Sequence, residues 1–159
     1  MIKSSDWIKN TPIAHRGLFD NKEIAENSYS SIKKAMETNH AIELDVSVTQ
    51  DDTAIIFHDE TFSRLTNVDG YVTSSNYSDV KDATLLGSTD KILSLTEALE
   101  IVDGKVPLLL DIMPSSKANF ERAIYEALKN YKVLHWRVDG NQEDLSITIE
   151  GKIFADGNE

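Results

Sequence analysis

The stretch AIELDVSVTQDDTAIIFHD, residues 41–59, decides the fold of this 159-residue chain. Residues 41–49 form a mostly apolar run typical of a long buried strand, and residues 53–59 form a second β-rich run. The polar residues 50–52 separate the two runs, and so short a connection predicts a β-hairpin.

The position of the turn sets the register of this hairpin. With the turn centred on the Asp51–Asp52 bond, Thr49 pairs with Ala54. The same register places Asp45 opposite His58, so a carboxylate and an imidazole are expected to meet across the two strands.

Alternating strand and helix signals flank the hairpin and predict βα units. Further strands are expected at residues 11–17, 105–113, 133–138 and 152–156. Helices are expected at residues 26–39, 93–102 and 117–131, the first of them capped near Asn27 or Ser28. The polar segment 60–91 shows little periodicity, and we interpret it as a long excursion that carries short elements.

Charge and cysteine content exclude several classes of protein. The chain has 16 lysines and arginines against 27 acidic residues, a formal charge of -11 that disfavours binding to nucleic acid or to an anionic membrane. It has no cysteine, which excludes disulfides, thiol catalysis and zinc–thiolate sites. The sequence shows neither a signal-peptide core nor an apolar run of ~18 residues, so we expect a soluble, cytoplasmic protein without an integral membrane segment, forming one domain over residues 1–159.

Five predicted strands carry polar or aromatic residues toward their C-terminal ends. These are the pair His15–Arg16, the segment Glu43–Asp45, and the residues Asp111, Trp136 and Asp156. In parallel α/β folds the C-terminal ends of the strands meet at one edge, where active sites are built. We therefore expect a pocket there, with Trp136 either lining it or belonging to the core.

Glu43 and Asp45 are candidate metal ligands. Alternate residues of a strand point to the same face, so the two carboxylates project together about 7 Å apart. Two buried carboxylates repel each other unless a cation neutralises them, and Ca²⁺ and Mg²⁺ prefer such oxygen ligands. Alternating acids are also common on exposed strands, but the apolar neighbours in AIELDV favour an interior site.

His15 and His58 are candidates for acid–base catalysis because imidazole titrates near neutral pH. Both lie at the ends of predicted strands, although a single histidine is more often a surface or core residue. Arg16 adds a planar cation that can bind two phosphoryl oxygens at once. The structural alternative for Arg16 is a salt bridge to Glu26.

Five segments resemble the glycerophosphodiester phosphodiesterase family in order and spacing: IAHRG (13–17), AENS (25–28), IELDVSVTQDD (42–52), IIFHDETFSRLT (55–66) and NVDG (67–70). The resemblance covers residues 11–113. It implies a TIM-type barrel, a bound divalent metal, Ca²⁺ or Mg²⁺, and cleavage of a glycerophosphodiester into glycerol phosphate and an alcohol. The hairpin and the polar excursion resemble the insertion that the family carries near its second barrel strand.

The resemblance also implies roles for individual residues. His15 and His58 match the acid and base, Arg16 matches the phosphate-binding arginine, and Glu43 and Asp45 match two metal ligands. The implied route begins with attack of a substrate hydroxyl on phosphorus, which forms a cyclic phosphate that water then opens. The two histidines exchange roles between these steps.

One departure from the family lies at the end of the next strand. The family has Glu-Ile-Lys where this chain has Asp111-Ile112-Met113. Asp111 still offers a carboxylate to a metal, but Met113 cannot supply the charge of a lysine. A catalytically weak or inactive module that binds a phosphodiester or another protein is therefore the alternative to an enzyme, whereas the intact histidines and acids favour the enzyme.

Length is the second departure. Residues 133–145 resemble the family's penultimate barrel strand, with Trp136 as a wall of the pocket, and residues 151–159 resemble its last strand. Because a full barrel needs about 250 residues, we expect a shortened α/β barrel of about five parallel strands plus the hairpin, incomplete or re-closed. We expect a homo-oligomer that covers the exposed strands, and the alternative is a monomer in which the Trp136 strand lies next to the Asp111 strand.

Overall fold

The computed structural model describes residues 10–116, 120–129, 135–140 and 145–150, and in the last two segments it describes the backbone and the side chain of Ile147. The strands in these residues are β1 (Ile13–His15), β2 (Ala41–Val48), β3 (Ala54–Ile56), β4 (Leu108–Ile112), β5 (His135–Gly140) and β6 (Leu145–Glu150). The helices are α1 (Tyr29–Glu37), α2 (Tyr77–Val80), α3 (Leu95–Val102) and α4 (Phe120–Leu128). None of these described helices is long and apolar enough to cross a bilayer.

The strands form one mixed sheet in the order β1-β2-β4-β6-β5, with β3 paired to β2. β1, β2 and β4 are parallel neighbours, which confirms the βα units around the hairpin. Their register places His15 beside Glu43 and Asp45 beside Asp111. The polar ends of these three strands therefore meet at one edge of the sheet, as the sequence predicts.

Serine caps start the two best-defined helices. The Ser28 side chain accepts a hydrogen bond from the Ser31 amide, and the Ser31 hydroxyl accepts one from the Ser28 amide. Ser94 and Glu97 form the same reciprocal pair at the start of α3. These side chains satisfy amide groups that a helix leaves unpaired at its first turn, so both helices begin where their caps stand.

Alternation along β2 separates the core from the candidate site. Ile42, Leu44 and Val46 are fully buried in an apolar cluster that also contains residues of α1, α3 and α4. Because successive strand residues point to opposite faces, Glu43 and Asp45 project from the other face of the sheet. The helices thus hold β2 rigidly while its acids face the site.

Residues 57–93, here called the insertion, contain short elements and a second apolar core. Phe57 and Phe62 are buried there, with ring centroids 5.3 Å apart. The remaining buried members come from positions far apart in sequence: Ala25, Ile55, Leu65, Val72, Val80, Ala83, Leu85 and Ile92. The short elements confirm the prediction for this segment, but its core was missed because its apolar residues follow no helical or strand period.

The predicted register of the hairpin is wrong by one residue. Val48 pairs with Ala54, where Thr49 was expected, and Phe57 lies opposite Asp45, where His58 was expected. The cause is a three-residue loop in which Asp52 takes the left-handed conformation, with φ 58°, and the Thr49 amide donates to the Thr53 carbonyl. His58 therefore follows the paired segment instead of standing across from Asp45.

The C-terminal part of the sheet also differs from the predicted run of parallel strands. β6 is antiparallel to both β4 and β5, so β5 runs in the same direction as β1, β2 and β4. Four strands of one direction are therefore described where about five were expected, and an unpredicted antiparallel strand lies between two of them. β6 separates the Trp136 strand from the Asp111 strand, which the re-closed arrangement had placed side by side. Leu145, Ile147 and Ile149 alternate with polar residues, a strand signal that the prediction passed over. The strand predicted at residues 152–156, with Asp156, lies outside the described residues.

Candidate active site

Arg16 closes β1 in a backbone conformation that few residues adopt. Its φ is 59°, in the left-handed region, and three hydrogen bonds hold it there. The Arg16 amide donates to Glu43 Oε2 at 3.0 Å, and its carbonyl accepts from the Asn27 amide at 2.9 Å and from Ser31 Oγ at 3.1 Å. The turn therefore points a backbone amide at the acids of β2 and fixes the start of the arginine side chain.

Gly17 lets helix α1 approach this turn. It has φ 78°, and a Cβ atom at this position would lie 2.4 Å from Ser31 Oγ and 2.7 Å from the Ser31 backbone. A side chain is excluded by both conformation and space. The glycine of the IAHRG segment is thus required by the close packing between the β1 turn and the first turn of α1.

Glu43, Asp45 and Asp111 form the carboxylate cluster. Each offers one oxygen, and these oxygens lie within 4.8 Å of one another. Glu43 and Asp45 are buried. Burial and the neighbouring charge of Asp45, with a smaller contribution from Asp111, raise the pKa of Glu43 to about 8. The cluster therefore holds more negative charge than its surroundings stabilise.

The donor set of this cluster fits a hard divalent cation. Ca²⁺ binds carboxylate oxygens at about 2.3–2.6 Å, so two oxygens on opposite sides of the ion lie about 5 Å apart. The spacing of 4.8 Å or less among the three oxygens falls within that span. Among the described residues, Glu43, Asp45 and Asp111 are thus a group that could hold a metal.

Asn27 and Arg16 fix the orientation of Asp45. Asn27 Nδ2 donates to Asp45 Oδ2 at 2.9 Å, and Asn27 Oδ1 accepts from the Asp45 amide at 3.2 Å. Arg16 Nε lies 3.0 Å from the same carboxylate oxygen, an ion pair whose angle does not meet hydrogen-bond geometry. Asn27 is itself buried and has φ 52°, so a strained residue serves as the clamp.

The two candidate histidines differ in exposure and in the carboxylate that each one faces. The His15 side chain is 68% exposed, and its Nε2 lies 3.8 Å from Glu43 Oε2. The His58 side chain is 39% exposed, and its Nδ1 lies 2.8 Å from Asp59 Oδ1. Both imidazoles are therefore accessible from solvent.

A chain of charged residues connects His58 to Arg16; we call it the ion-pair chain, made of His58, Asp59, Arg64, Glu26 and Arg16. Arg64 bonds to both oxygens of Asp59 and to Glu26 Oε1. Glu26 Oε2 accepts from Arg16 NH1 at 2.7 Å. The salt bridge between Arg16 and Glu26, the structural alternative from the sequence, is thus present, and Arg16 reaches Asp45 at the same time.

Two other residues that the sequence singled out, Trp136 and Met113, have no described contact with the carboxylate cluster. Trp136 is in β5, with its backbone paired to Ile149, and its side chain lies outside the described residues. Met113 is buried at 7% exposure, and its amide donates to the Val46 carbonyl. It is held as part of the packing at the end of β4.

Sequence reasoning assigned no site role to Asn27, Asp59 or Arg64. Asn27 entered as one of two possible helix caps; the other, Ser28, is the cap, and Asn27 clamps Asp45. Asp59 and Arg64 stand one and six residues after His58 in the segment HDETFSR. An acid next to a candidate histidine and an arginine shortly after it were the available signals.

Comparison with known proteins gives concordant matches. Residues 15–149 match the glycerophosphoryl diester phosphodiesterase family. A glycerophosphodiester phosphodiesterase of Caldanaerobacter subterraneus subsp. tengcongensis is 34% identical over 135 residues, which cover 78% of this chain and 54% of that protein. The chain thus spans about half the length of this curated relative.

Solved structures resemble the fold as well. A phosphodiesterase of Oleispira antarctica, in complex with the product sn-glycerol-3-phosphate, superposes with a TM-score of 0.67 at 27% identity. The match covers 77% of this chain and 54% of that one. A glycerophosphodiester phosphodiesterase of Agrobacterium tumefaciens gives 0.60 at 26% identity and covers 70% of this chain and 52% of that one.

Proposed function

This chain belongs to the glycerophosphoryl diester phosphodiesterase family, and we propose that it hydrolyses a glycerophosphodiester to glycerol phosphate and an alcohol. The observation that carries the proposal is the carboxylate cluster lying directly beside His15 and Arg16 at the ends of β1, β2 and β4. The family's fold is TIM-barrel-like, and β1, β2 and β4 with their helices form the parallel part of it here. We treat residues 1–159 as one catalytic domain.

Substrate binding rests on Arg16 and on a divalent ion, Ca²⁺ or Mg²⁺, held by Glu43, Asp45 and Asp111. When bound, the ion supplies positive charge to the phosphoryl oxygens. Arg16 is already oriented by Glu26 and Asp45, so its guanidinium loses little freedom when a phosphate arrives. Trp136 is the proposed wall for the alcohol or glycerol part of the substrate.

Proton transfer is assigned to His15 and His58. One imidazole accepts the proton of the attacking glycerol hydroxyl, and the other donates a proton to the oxygen of the departing alcohol. The product of this step is a cyclic phosphate, which a water molecule opens with the two roles reversed. The accessibility of both side chains supports this assignment.

The alternative of an inactive binding module rested on Met113 and on the chain length. The carboxylate cluster nevertheless lies beside His15 and Arg16, and the ion-pair chain connects His58 to Arg16, which supports the proposal of hydrolysis. The single missing charge at Met113 is expected to weaken phosphate binding and to leave proton transfer intact.

A direct assay tests the proposed function. Purified protein is incubated with glycerophosphocholine and Ca²⁺ or Mg²⁺, and glycerol phosphate and choline are measured. We expect equal amounts of both products, loss of the reaction with chelator and recovery with added metal. A rate that does not exceed that of a His58→Ala preparation would contradict the assignment as an enzyme.

Two predictions on the state of the protein extend the proposal. The cytoplasmic location stays a prediction from the sequence.

Association of two copies would cover the strand edges that an incomplete barrel exposes, with β1 at one edge of the described sheet. Light scattering at micromolar concentration tests it: we expect about twice the chain mass of 17.8 kDa, and a mass of 17.8 kDa that does not rise with concentration would exclude association.

A further inference from the structure

Asp59 determines which nitrogen of the His58 ring carries the hydrogen. Arg64 Nε lies 2.7 Å from Asp59 Oδ2 and Arg64 NH2 lies 3.0 Å from Asp59 Oδ1, a two-pronged contact. This contact from Arg64, helped by His58, lowers the pKa of Asp59 to about 2, so its carboxylate is ionised at neutral pH. An ionised carboxylate can only accept hydrogen bonds, so His58 Nδ1, at 2.8 Å, carries the hydrogen. In the neutral ring the lone pair is then on Nε2.

Glu26 extends the same arrangement to Arg16. The Glu26 side chain is 1% exposed, and its two oxygens bind different arginines: Oε1 accepts from Arg64 NH1 at 2.9 Å, and Oε2 accepts from Arg16 NH1 at 2.7 Å. Asn21 Nδ2 donates to Oε1 at 2.8 Å. Burial opposes ionisation, but the bonds from Arg64 and Asn21 and the charge of Arg16 lower the pKa of Glu26. The two acids and two arginines thus balance in charge.

Arg64 is the branch point because all three of its nitrogens are used. Nε and NH2 hold Asp59, and NH1 holds Glu26. Its neighbours Phe62 and Leu65 are buried in the core of the insertion, which anchors the segment that carries it. Arg64 thus connects to His58 through Asp59, within the insertion, and to Arg16 through Glu26, outside it. These two groups have different proposed tasks in the reaction.

We propose, resting on the function proposed above, that Asp59 and Arg64 are positioning residues for the phosphodiester reaction. Asp59 holds His58 as the Nδ1–H tautomer with Nε2 toward the substrate. Arg64 holds Asp59 and, through Glu26, sets the direction of the Arg16 guanidinium.

Substitutions of the two positioning residues are expected to change different kinetic constants. Asp59→Ala removes the acceptor at Nδ1, so the Nε2–H tautomer gains population and kcat falls about 10- to 100-fold with little change in KM. Arg64→Met disturbs both branches, so kcat falls and KM rises together. Arg64→Lys keeps the charge but presents a single nitrogen that cannot hold Asp59 and Glu26 at once, so it is not expected to restore either constant.

The tautomer is measured directly by long-range ¹H–¹⁵N correlation spectra of the histidine rings, at a pH where His58 is neutral. His40, whose Nδ1 lies 2.7 Å from Thr38 Oγ1 after α1, is the internal reference. We expect the His58 signals of the Nδ1–H tautomer in the wild type and of the Nε2–H tautomer in Asp59→Ala, with His40 unchanged. The same tautomer in both proteins would overturn the role of Asp59.

Kinetics with glycerophosphocholine provide the second readout, with Lys91→Met as the matched control. Lys91 forms an exposed pair with Asp82 at 3.2 Å in the same insertion and takes no part in the ion-pair chain. We expect wild-type constants for Lys91→Met, and low kcat for Asp59→Ala and Arg64→Lys. Wild-type kcat in Asp59→Ala, or full restoration by Arg64→Lys relative to Arg64→Met, would overturn the proposal.

The two readouts separate this proposal from the proposed function. If the wild type releases no glycerol phosphate, the proposed function fails, and the proposal that depends on it is overturned with it even when the His58 tautomer is as expected. If the wild type is active but the variants keep their rates, only the positioning roles fail. Thermal melting of each variant checks folding, and Arg64→Lys, the smallest change, carries the test if Asp59→Ala does not fold.

Discussion

Two groups of acidic residues meet at Arg16, and the protein neutralises them differently. In the ion-pair chain, Glu26 and Asp59 face Arg64 and Arg16, and the hydrogen bonds from Arg64 lower the pKa of Asp59 to about 2. In the carboxylate cluster, Arg16 meets Asp45 but is shared with Glu26, and burial raises the pKa of Glu43 to about 8. The first group is already satisfied, whereas the second gains from an added cation.

This difference separates a supporting structure from the proposed metal site. Balanced, hydrogen-bonded charges hold side chains in place. Crowded carboxylates store unfavourable energy that a bound divalent ion relieves. Arg16 belongs to both groups. The ion-pair chain therefore positions the residue that is proposed to bind phosphate.

The largest expected effect is on catalysis by the two histidines. Replacing His15 or His58 by alanine should lower turnover by about 10² to 10⁴-fold, the usual contribution of positioned proton transfer. His40→Ala is the matched control, because His40 lies after α1 beside Thr38. Initial rates with glycerophosphocholine measure all three variants, and full activity in either site variant would remove that histidine from the mechanism.

A smaller effect concerns the pH dependence of stability without metal. Because the folded pKa of Glu43 is raised from 4.5 to about 8, the folded state binds more protons than the unfolded state between these values. The contribution of Glu43 to the free energy of unfolding is therefore fully present below pH 4.5 and is lost as pH rises toward 8. The slope is at most about 1.4 kcal/mol per pH unit.

Glu43→Gln tests this dependence. Urea denaturation in the presence of chelator should show a stability that falls with pH in the wild type and that falls less in the variant, which then becomes the more stable protein near pH 8. Parallel curves for the two proteins would show that Glu43 is not destabilised by its surroundings.

The ion-pair chain should respond to pH in the opposite sense. The folded pKa of Asp59 is depressed from 3.8 to about 2, so its contribution to stability is present above pH 3.8 and is lost as pH falls toward 2. In Asp59→Asn, the loss of stability between pH 3.8 and 2 should therefore be smaller than in the wild type. The contribution of Asp20, whose pKa is also lowered to about 2 by the backbone amides of Ile24 and Lys22, should remain. The same loss of stability at acid pH in Asp59→Asn and in the wild type would indicate that the contact between Asp59 and Arg64 contributes little to stability.

The local features of this fold could be predicted from the sequence. Ser28 and Ser94 mark helix starts through hydrogen bonds within three residues, and β2 and β4 show as apolar runs. The convergence of Glu43, Asp45 and Asp111 follows from strand alternation and parallel pairing. These features depend on neighbours close in sequence or on a regular sheet.

The features that were missed depend on particular loops or on distant pairs. The left-handed Asp52 adds one residue to the hairpin loop and shifts its register, and aspartate at this position carries no unique signal. Arg64 meets Glu26 across 38 residues, and the core of the insertion joins positions from Ala25 to Ile92. Such contacts exist only once the chain has folded.

The smallest expected effect comes from an exposed ion pair. Lys91→Met should change the free energy of unfolding by less than about 0.5 kcal/mol, because both side chains of the Lys91–Asp82 pair are more than half exposed. Arg64→Met removes contacts to the buried Glu26 and should cost more. Urea denaturation of both variants checks the order, and equal losses would mean that the ion-pair chain is no better supported than a surface pair.

Metal-dependent thermal stabilisation tests the central claim most directly, because it asks which of the two acidic groups binds a cation. Chelator-treated wild type, Glu43→Ala, Asp45→Ala and the matched Asp59→Ala are melted with and without Ca²⁺ or Mg²⁺. At about 100 times the dissociation constant, a bound ion adds about 2.7 kcal/mol of stability. We predict a clear rise in melting temperature for the wild type and Asp59→Ala and none for Glu43→Ala or Asp45→Ala; an equal rise in all four proteins would contradict the assignment of the carboxylate cluster as the metal site.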